Sequence, residues 1–425
     1  MNWCIIFTIQ DKAAKDIAAS AFGHAGQKCS AASLVILVGS VARSRRFREQ
    51  LVDAVTSLSV GLPEDPETQM GPLIEPAQGK LLQALTTLDA GEEWLVEPRR
   101  LDEAGRLWSP GIRTGVRPGA TTHLTEYFGP VMGIMAAETL QEAIALQNAV
   151  DYGLTAGLHS LDPAEIGIWL DRVQAGNLYV NRGTTGAIVR RQPFGGWKRS
   201  SVGAGTKAGG PHYLFGLGEW TRERATSTDR LDPRAERLLR AARDAHLPAA
   251  DVEFLSRAFG SDAVAWRDEF GTARDVSALQ VERNVLRYAP TPVHVRFADD
   301  ASLADGLRVL GAGLLVGGTL DVSSAFAVPD AVRTALQGCG VAFCVEDEPA
   351  WLARVSRLRD ARIRLVGGSR TAVAGGTGGK ADLAIYAHAP TEAGRVEMLP
   401  FVREQAVSIT AHRFGTPNHL TDGLV

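Results

Sequence analysis

Short runs of branched aliphatic residues alternate with amphipathic helical segments along this chain, and that alternation constrains its fold most strongly. Residues 33–40 read SLVILVGS, which is typical of a strand buried on both faces, and residues 43–58 read as the helix that follows it. Strands that alternate with helices pack as a largely parallel sheet covered by helices. The sequence therefore predicts an α/β fold.

A second series of strands and helices follows a change of composition near residue 220. A charged helical stretch with an exposed joint at about residues 226–233 separates the two series, and we place a domain boundary there. From residues 293–297 onward, predicted strands and helices alternate in the way that is typical of a doubly wound sheet. We predict two domains, residues 1–225 and residues 226–425, for which the length of 425 residues is ample.

Composition excludes several classes of protein. A net charge of −3 with no basic excess argues against a nucleic-acid partner. With 45% hydrophobic and 22% charged residues, the chain is not expected to be disordered or fibrous. Its beginning lacks a signal-peptide pattern, and no apolar run has the length of a membrane span. Four cysteines are too few for a disulfide scaffold of this length, so we expect reduced thiols and a cytoplasmic location.

The segment AGQKCSA, at residues 25–31, is the sharpest candidate for chemistry. Cys29 follows a glycine-containing turn and precedes the buried strand, so its thiol could be reached from a cleft. The backbone N–H of Cys29 could face a developing oxyanion. A lone cysteine is more often buried and inert, so the segment by itself leaves both interpretations open.

Two further segments carry residue types that suit small-molecule binding. In HLTEYFGPV, Glu126 and Phe128 alternate, so in an extended segment a carboxylate and an aromatic ring would face one side, beneath a ribose and a flat ring. In NLYVNRGTTGAIVRRQPFGG, exposed N–H groups at Gly186 and Ala187 could hold a carboxylate, and Phe194 could wall an aliphatic chain. For the first segment the ordinary alternative is a solvated Glu beside a core Phe. For the second segment it is an ordinary turn.

Other motifs do not support a site. GAGTKAGGP, at residues 203–211, resembles a dinucleotide fingerprint, but no apolar strand leads into it. AGGTGGKA departs from a phosphate-binding loop at its first and last positions. No pair of histidines accompanies Cys339 and Cys344, so we predict no zinc site and no other metal.

Taken in order, FGHAGQKCSA, LTEYFGPV, YGLTAGLHS, GNLYVNR and QPFGGWKRS resemble the motifs of the aldehyde dehydrogenase superfamily, over about residues 1–220. Cys29-Ser30, the GAIV loop and TKAGGPHYL resemble L-glutamate γ-semialdehyde (pyrroline-5-carboxylate) dehydrogenases. The second half is similar to the C-terminal domain of bifunctional proline utilization A proteins, and REQAVSITAHRFGTPNHL resembles their tail motif. The resemblance implies an aldehyde dehydrogenase catalytic domain followed by a second doubly wound, Rossmann-like α/β domain that covers the active site.

The resemblance also implies the chemistry: NAD-dependent oxidation of L-glutamate γ-semialdehyde to L-glutamate in proline catabolism, by a homo-oligomer. Its roles fall on seven positions: Cys29 as the thioester-forming nucleophile, Glu126 and Phe128 for the nicotinamide ribose and ring, Ser30, Gly186 and Ala187 for the substrate carboxylate, and Phe194 for the aromatic wall of the pocket.

The sequence departs from the family pattern before Cys29, which only 28 residues precede. In the family, the dinucleotide-binding domain, the Asn that completes the oxyanion hole and the Glu that activates water lie upstream. Loss of a general base costs about 10²–10⁴-fold in rate, and loss of one oxyanion donor about 10²–10³-fold. We therefore expect an N-terminally truncated piece that is inactive by itself. The alternatives are a non-catalytic remnant or interaction subunit, and a weak thiol esterase.

Overall fold

The computed structural model of the chain describes residues 3–6, 11–413 and 415–425. The chain folds into two compact units. Unit 1 comprises Met1–Ser200, Asp275–Val285 and Ala406–Val425, and unit 2 comprises Ser201–Arg274 and Leu286–Gln405. Both units alternate strands and helices, which confirms the predicted α/β class.

The strands of the described residues are numbered in chain order. They are β1 (Trp3–Ile6), β2 (Leu34–Val38), β3 (Glu93–Val96), β4 (Gly111–Thr114), β5 (Val131–Ala137), β6 (Tyr152–Gly153), β7 (Thr155–His159), β8 (Asn177–Val180), β9 (Trp197–Lys198), β10 (Arg274–Asp275), β11 (Glu282–Pro290), β12 (Val293–Phe297), β13 (Leu320–Ser324), β14 (Ala342–Val345), β15 (Ala361–Val366), β16 (Leu383–Tyr386), β17 (Val402–Thr410), β18 (His412–Arg413) and β19 (Thr416–Pro417).

The α-helices are numbered in the same way, and short 3₁₀ and π turns supplement them. The helices are α1 (Asp11–Phe22), α2 (Arg45–Thr56), α3 (Gly79–Thr86), α4 (Thr121–Leu124), α5 (Leu140–Asn148), α6 (Pro163–Arg172), α7 (Pro233–Asp244), α8 (Ala249–Ala265), α9 (Leu303–Val316), α10 (Asp330–Gly338), α11 (Glu348–Val355), α12 (Arg370–Gly376) and α13 (Gly394–Glu397).

The sheet of unit 1 has the strand order β10-β11-β17-β8-β7-β1-β2-β5-β4-β3. The pairs from β17 through β4 are parallel, and β3 is antiparallel to β4. Helices cover both faces: Val35 and Leu37 of β2 pack in one apolar cluster with α1 and α2, whereas Leu34 and Ile36 pack in another with α5 and α6. This two-sided burial explains why β2 is a continuous apolar run.

The sheet of unit 2 has five parallel strands in the order β14-β13-β12-β15-β16. This is the order of a doubly wound fold, with the direction of winding reversed between β12 and β15. The predicted second doubly wound sheet is therefore confirmed.

The division into two units differs from the predicted boundary after residue 225. Residues 201–225 group with the second half of the chain, and residues 275–285 and 406–425 group with the first half. The reason for the second difference is strand pairing, because Ala406–Ile409 of β17 pair with Asn177–Val180 of β8. As a division into folding domains, the boundary between residues 225 and 226 stays a prediction.

Two sequence segments are only partly described. Of WCIIFTI, residues 3–6 form β1 between β2 and β7, and residues 7–9 lie outside the described residues, as does residue 414 in the tail motif. Across the described part of the chain, no helix is long and apolar enough to cross a bilayer. The same residues contain no group of three or more His, Cys, Asp or Glu side chains placed to hold a metal ion.

Candidate active site

Cys29 lies on an exposed turn between α1 and β2. The chain leaves α1 through a 3₁₀ turn, Gly23–Gly26, in which His24, Ala25 and Gly26 all have positive φ angles. Such a run of left-handed residues costs conformational energy and is more common at functional sites. An exposed thiol on this turn fits the interpretation of Cys29 as a reachable nucleophile better than that of an inert core residue.

The turn before Cys29 lies backbone to backbone against the segment that carries Glu126 and Phe128. Gly26 has a φ of 69°, and a Cβ at this position would collide with the carbonyl oxygen of Gly129. Only glycine combines this φ with so close an approach at low cost. The structure thus brings the predicted nucleophile and the predicted cofactor-binding segment into one region.

The segment around Glu126 is less regular than the sequence suggests. Glu126 is half-buried, Tyr127 is buried and Phe128 is 37% exposed. Phe128 has a φ of 59°, so the segment is not extended there, and the strict alternation expected of Glu126 and Phe128 does not hold. A left-handed aromatic residue costs on the order of 1 kcal/mol or more, and here it leaves an exposed ring beside a partly buried carboxylate.

The predicted carboxylate-binding loop is attached to the residue that follows Cys29. Thr184 is buried, and its hydroxyl donates to the carbonyl oxygen of Ser30 at 3.2 Å. The backbone N–H of Thr184 donates to Ser20 Oγ at 3.0 Å. Beyond it, Gly186 and Ala187 are exposed, and Gly186 has a φ of 85°. Ser30 and this loop are therefore held together, and their role toward a substrate carboxylate stays a prediction.

The loop begins at a fixed point. Asn181 has a φ of 56°. Its side-chain amide accepts from the N–H of Ser160 at 3.1 Å and donates to the carbonyl of Ser160 at 2.8 Å. Lys12 Nζ donates to the carbonyl of Asn181 at 2.7 Å. These bonds satisfy the polar groups of a sharp exit from β8, so the loop leaves the sheet in a defined direction.

Phe194 is half-buried, and the side chain of Asn177 hydrogen-bonds to the residue on each side of it. Asn177 Nδ2 donates to the carbonyl of Pro193 at 3.0 Å, and Asn177 Oδ1 accepts from the N–H of Gly195 at 3.2 Å. The clamp fixes the backbone around the predicted aromatic wall. Its role toward a substrate stays a prediction.

Tyr179 is a neighbour of Cys29 that sequence analysis missed. Burial raises the pKa of Tyr179 to about 12; the Arg182 guanidinium opposes the increase, and the charge of Cys29 adds to it. Arg182 lies over the Tyr179 ring, 5.5 Å from its centroid. In the sequence, NLYV reads as a core strand, and only the structure shows the electrostatic link with Cys29.

Two further features lie away from the predicted site residues. Lys380 of AGGTGGKA donates through Nζ to the carbonyls of Ser356 and Leu358. A cavity of about 310 Å³ in unit 1 is lined by residues that include Leu37, Phe47 and Arg117, and none of the predicted site residues lines it.

Comparison with known proteins adds three findings. A family model described as "Aldehyde dehydrogenase family" matches residues 2–221. The 1-pyrroline-5-carboxylate dehydrogenases of Bacillus subtilis (strain 168) and Geobacillus sp. (strain WCH70) are 39% identical over 206 residues and 38% identical over 204 residues. Each match covers 48% of this chain and 39% of the relative.

The third finding is structural. A solved structure of Proline Utilization A (PutA) from Corynebacterium freiburgense has 41% sequence identity and a TM-score of 0.81. The match covers 98% of this chain and 39% of that chain. The chain therefore spans about two fifths of the length of the relatives it matches.

Proposed function

The chain belongs to the aldehyde dehydrogenase family, and from that premise we propose that it supplies the nucleophile and substrate anchor for NAD-dependent oxidation of L-glutamate γ-semialdehyde to L-glutamate. One observation carries the proposal: Thr184 ties the loop of Gly186 and Ala187 to Ser30, directly beside the exposed Cys29. The similarity to 1-pyrroline-5-carboxylate dehydrogenases and to a proline utilization A protein supports this choice of substrate.

In the proposed reaction, the Cys29 thiolate adds to the aldehyde carbon and forms a C–S bond, while the carbonyl oxygen becomes an oxyanion. In this proposal, the backbone N–H of Cys29 donates to that oxyanion. NAD⁺, when bound, supplies the acceptor for the hydride that leaves this carbon. The C=O bond then re-forms as a thioester of Cys29, and water cleaves it to L-glutamate and the free thiol, releasing protons to solvent.

Two residues of this chain fit the nicotinamide end of NAD. The half-buried Glu126 offers carboxylate oxygens that can accept from both hydroxyls of a ribose. The exposed ring of Phe128 offers an apolar contact for a flat heterocycle. The roles of both residues, like those of Ser30, Gly186, Ala187 and Phe194, belong to the proposal.

The substrate anchor is tested by protection of Cys29. Iodoacetamide alkylation of Cys29 is followed by peptide mass spectrometry with increasing L-glutamate, and we expect glutamate to slow it in a saturable way. 4-Aminobutanoate, which lacks the α-carboxylate, is the matched ligand and should protect at least about fivefold less well. The exposed Cys344 of unit 2 is an internal control whose alkylation should not respond.

The outcomes separate the candidate functions. An alkylation rate of Cys29 that ignores glutamate would contradict the anchor. A Cys29 that resists iodoacetamide altogether would favour the non-catalytic alternative. NADH formation from the semialdehyde by the purified chain, with Cys29→Ser as the blank, measures turnover, and we expect no useful rate from this chain by itself.

A cytoplasmic location is also part of the proposal, and homo-oligomeric assembly is expected of the intact family. Light scattering of the purified chain at micromolar concentration measures whether this chain assembles by itself. Fractionation of the source cells tests the location.

A further inference from the structure

A buried amide closes the loop that carries Gly186 and Ala187. Gln192 is 2% exposed, and its Oε1 accepts from the N–H of Ile188 at 2.9 Å. The N–H of Gln192 in turn donates to the carbonyl of Ile188 at 2.8 Å. This reciprocal pair closes the segment between the two residues into one hydrogen-bonded turn.

The other end of the Gln192 amide bonds to strand β11, whose first residues belong to unit 1. Gln192 Nε2 donates to Asn284 Oδ1 at 2.6 Å and to Glu282 Oε1 at 3.2 Å. Glu282 and Asn284 are two positions apart on one strand, so they face the same side. The loop is therefore held by residues that lie about 90 positions later in the chain.

Asn284 has no freedom to turn away from Gln192. Its Oδ1 also accepts from Ser408 Oγ at 2.8 Å, and its Nδ2 donates to Ser277 Oγ at 3.1 Å. Its backbone N–H donates to Asp275 Oδ2 at 2.9 Å. Although burial raises the pKa of Asp275, the hydrogen bonds from Ser277, Asn284 and Ala278 lower it overall, so the carboxylate is held ionised.

Glu282 also holds the beginning of the loop. Its second carboxylate oxygen lies 2.7 Å from Arg182 Nη1, and both side chains are less than one quarter exposed. Arg182 covers the ring of Tyr179, 5.5 Å from its centroid. One carboxylate thus contacts two side chains on either side of the Gly186–Ala187 segment, Arg182 and Gln192.

We propose that Glu282, Asn284 and Gln192 are positioning residues that hold the Gly186–Ala187 loop in the conformation that binds the substrate carboxylate. The proposal rests on the proposed function for the identity of the ligand, but the loop geometry it invokes is independent of that ligand. Both β11 residues accept from the Gln192 amide, so its loss would remove one donor from Asn284 Oδ1 and one from the carboxylate of Glu282.

The decisive variant is Gln192→Glu. It keeps the shape of the side chain but removes both Nε2 donors and places a carboxylate opposite Glu282 and Asn284 Oδ1. We expect protection of Cys29 by L-glutamate to weaken roughly tenfold, as expected for the loss of about one buried hydrogen bond. Hydrogen–deuterium exchange of peptides covering residues 184–192 should accelerate at least about fivefold.

Arg283→Gln is the matched control. Arg283 lies on the same strand between Glu282 and Asn284 but bonds to the carbonyl of Thr421 and to the carboxylate of Asp422 instead of the loop. Its loss should lower thermal stability without changing glutamate protection or exchange in residues 184–192. A structural role of β11 alone would make the two variants behave alike.

The outcomes test the positioning role and the proposed function separately. Normal glutamate protection and normal loop exchange in Gln192→Glu would overturn the positioning role. If the unsubstituted chain shows no protection by glutamate, the proposed function fails, and loop exchange alone decides the inference. If Gln192→Glu does not fold, Glu282→Gln carries the test, with about threefold weaker protection expected because only a partly buried charge pair is lost.

Discussion

The two units bury polar side chains for different purposes. In unit 1, buried hydroxyls and amides such as Thr184 and Gln192 bond to loops that expose Cys29 and Gly186. Unit 2 buries pairs of opposite charges in its core: Arg364 lies 2.7 Å from Glu397, and Arg308 contacts both carboxylate oxygens of Asp262 at 2.7 and 2.8 Å. The same alternation of strands and helices therefore supports an accessible site in one unit and a closed charged core in the other.

The strand ends of unit 2 show the contrast most directly. Doubly wound sheets bind nucleotides outside the carboxyl ends of the strands, where the winding reverses. There, after β12, the carboxylate of Asp300 accepts from the N–H of Gly368 at 2.7 Å. A phosphate would meet this negative charge where a nucleotide-binding fold offers unpaired N–H groups. Strand order by itself therefore does not imply a nucleotide site.

The largest expected effect tests the charged core of unit 2. Arg308→Met leaves Asp262 buried without its partner, and we expect a loss of about 3–5 kcal/mol in the free energy of unfolding. Burial already raises the pKa of Asp262 to about 6, with Arg308 opposing the increase. Urea unfolding, combined with hydrogen exchange of unit 2 peptides, measures the loss.

The double variant Arg308→Met/Asp262→Leu is the control, because replacing both charges with apolar groups should recover most of the stability. Cys29 alkylation should stay at its unsubstituted rate in both variants. A change in the Cys29 alkylation rate would contradict the view that the charged core of unit 2 and the site of unit 1 are independent.

A smaller effect tests the close backbone approach in unit 1. Gly26→Ala combines a left-handed φ with a collision against the carbonyl of Gly129, so we expect a loss of about 2–4 kcal/mol. Thermal unfolding measures it, and the rate of Cys29 alkylation should change with it. Gly23→Ala is the matched control, since a Cβ there meets open space, and its effect should stay within about 0.5 kcal/mol.

The smallest expected effect is a pH dependence in unit 2. Although burial raises the pKa of Glu269, hydrogen bonds and charges from His212 and Arg395 lower it to about 2. A depressed carboxyl pKa stabilises the fold above its ordinary value of 4.5, and this contribution, on the order of 1–2 kcal/mol, is lost as the pH falls from there toward 2.

Acid titration of stability in Glu269→Gln tests this directly. The variant should be less stable at neutral pH and should lose less stability on acidification than the unsubstituted chain. Glu253→Gln, which changes an exposed carboxylate of α8, should leave the acid dependence unchanged. An identical acid profile for Glu269→Gln would contradict the assignment.

Elements with a local signal could be predicted from the sequence. Residues 131–137, which read VMGIMAA, form β5, and residues 293–297, which read VHVRF, form β12. The Asp162-Pro163 pair supplies an N-cap and a first helical residue, so α6 begins where PAEIGIWL starts. In these cases side-chain pattern and capping determine the element without help from distant residues.

Elements that depend on distant partners could not be predicted. β11 reads ERNVLRYAP, in which charged residues obscure the pattern of a strand, and β17 lies partly in the segment that resembles a tail motif. Both join the unit 1 sheet through pairing across more than a hundred residues, which no local window contains. Likewise, the positive φ of Phe128 depends on how the chain packs, and the residues TEYFGP do not predict it.

The candidate site divides in the same way. Cys29 stood out through its local surroundings, and its exposure agrees with the predicted role. Thr184, Tyr179 and Gln192 read as ordinary loop or core residues, because their importance lies in what they contact. The assignments of Glu126, Phe128, Ser30, Gly186, Ala187 and Phe194 came from family resemblance and stay predictions.

The pairing of β8 with β17 also sets the order in which the molecule can form during synthesis. One edge of Asn177–Val180 acquires its neighbour β7 early, but the other waits for Ala406–Ile409. Residues 181–405 must be synthesised in between, which takes roughly 10–45 s at about 5–20 residues per second. During that interval a buried, apolar strand has an open edge that can pair with another chain. The strand of the nascent protein that is exposed to aggregation is therefore β8, which lies in the middle of the sheet of unit 1.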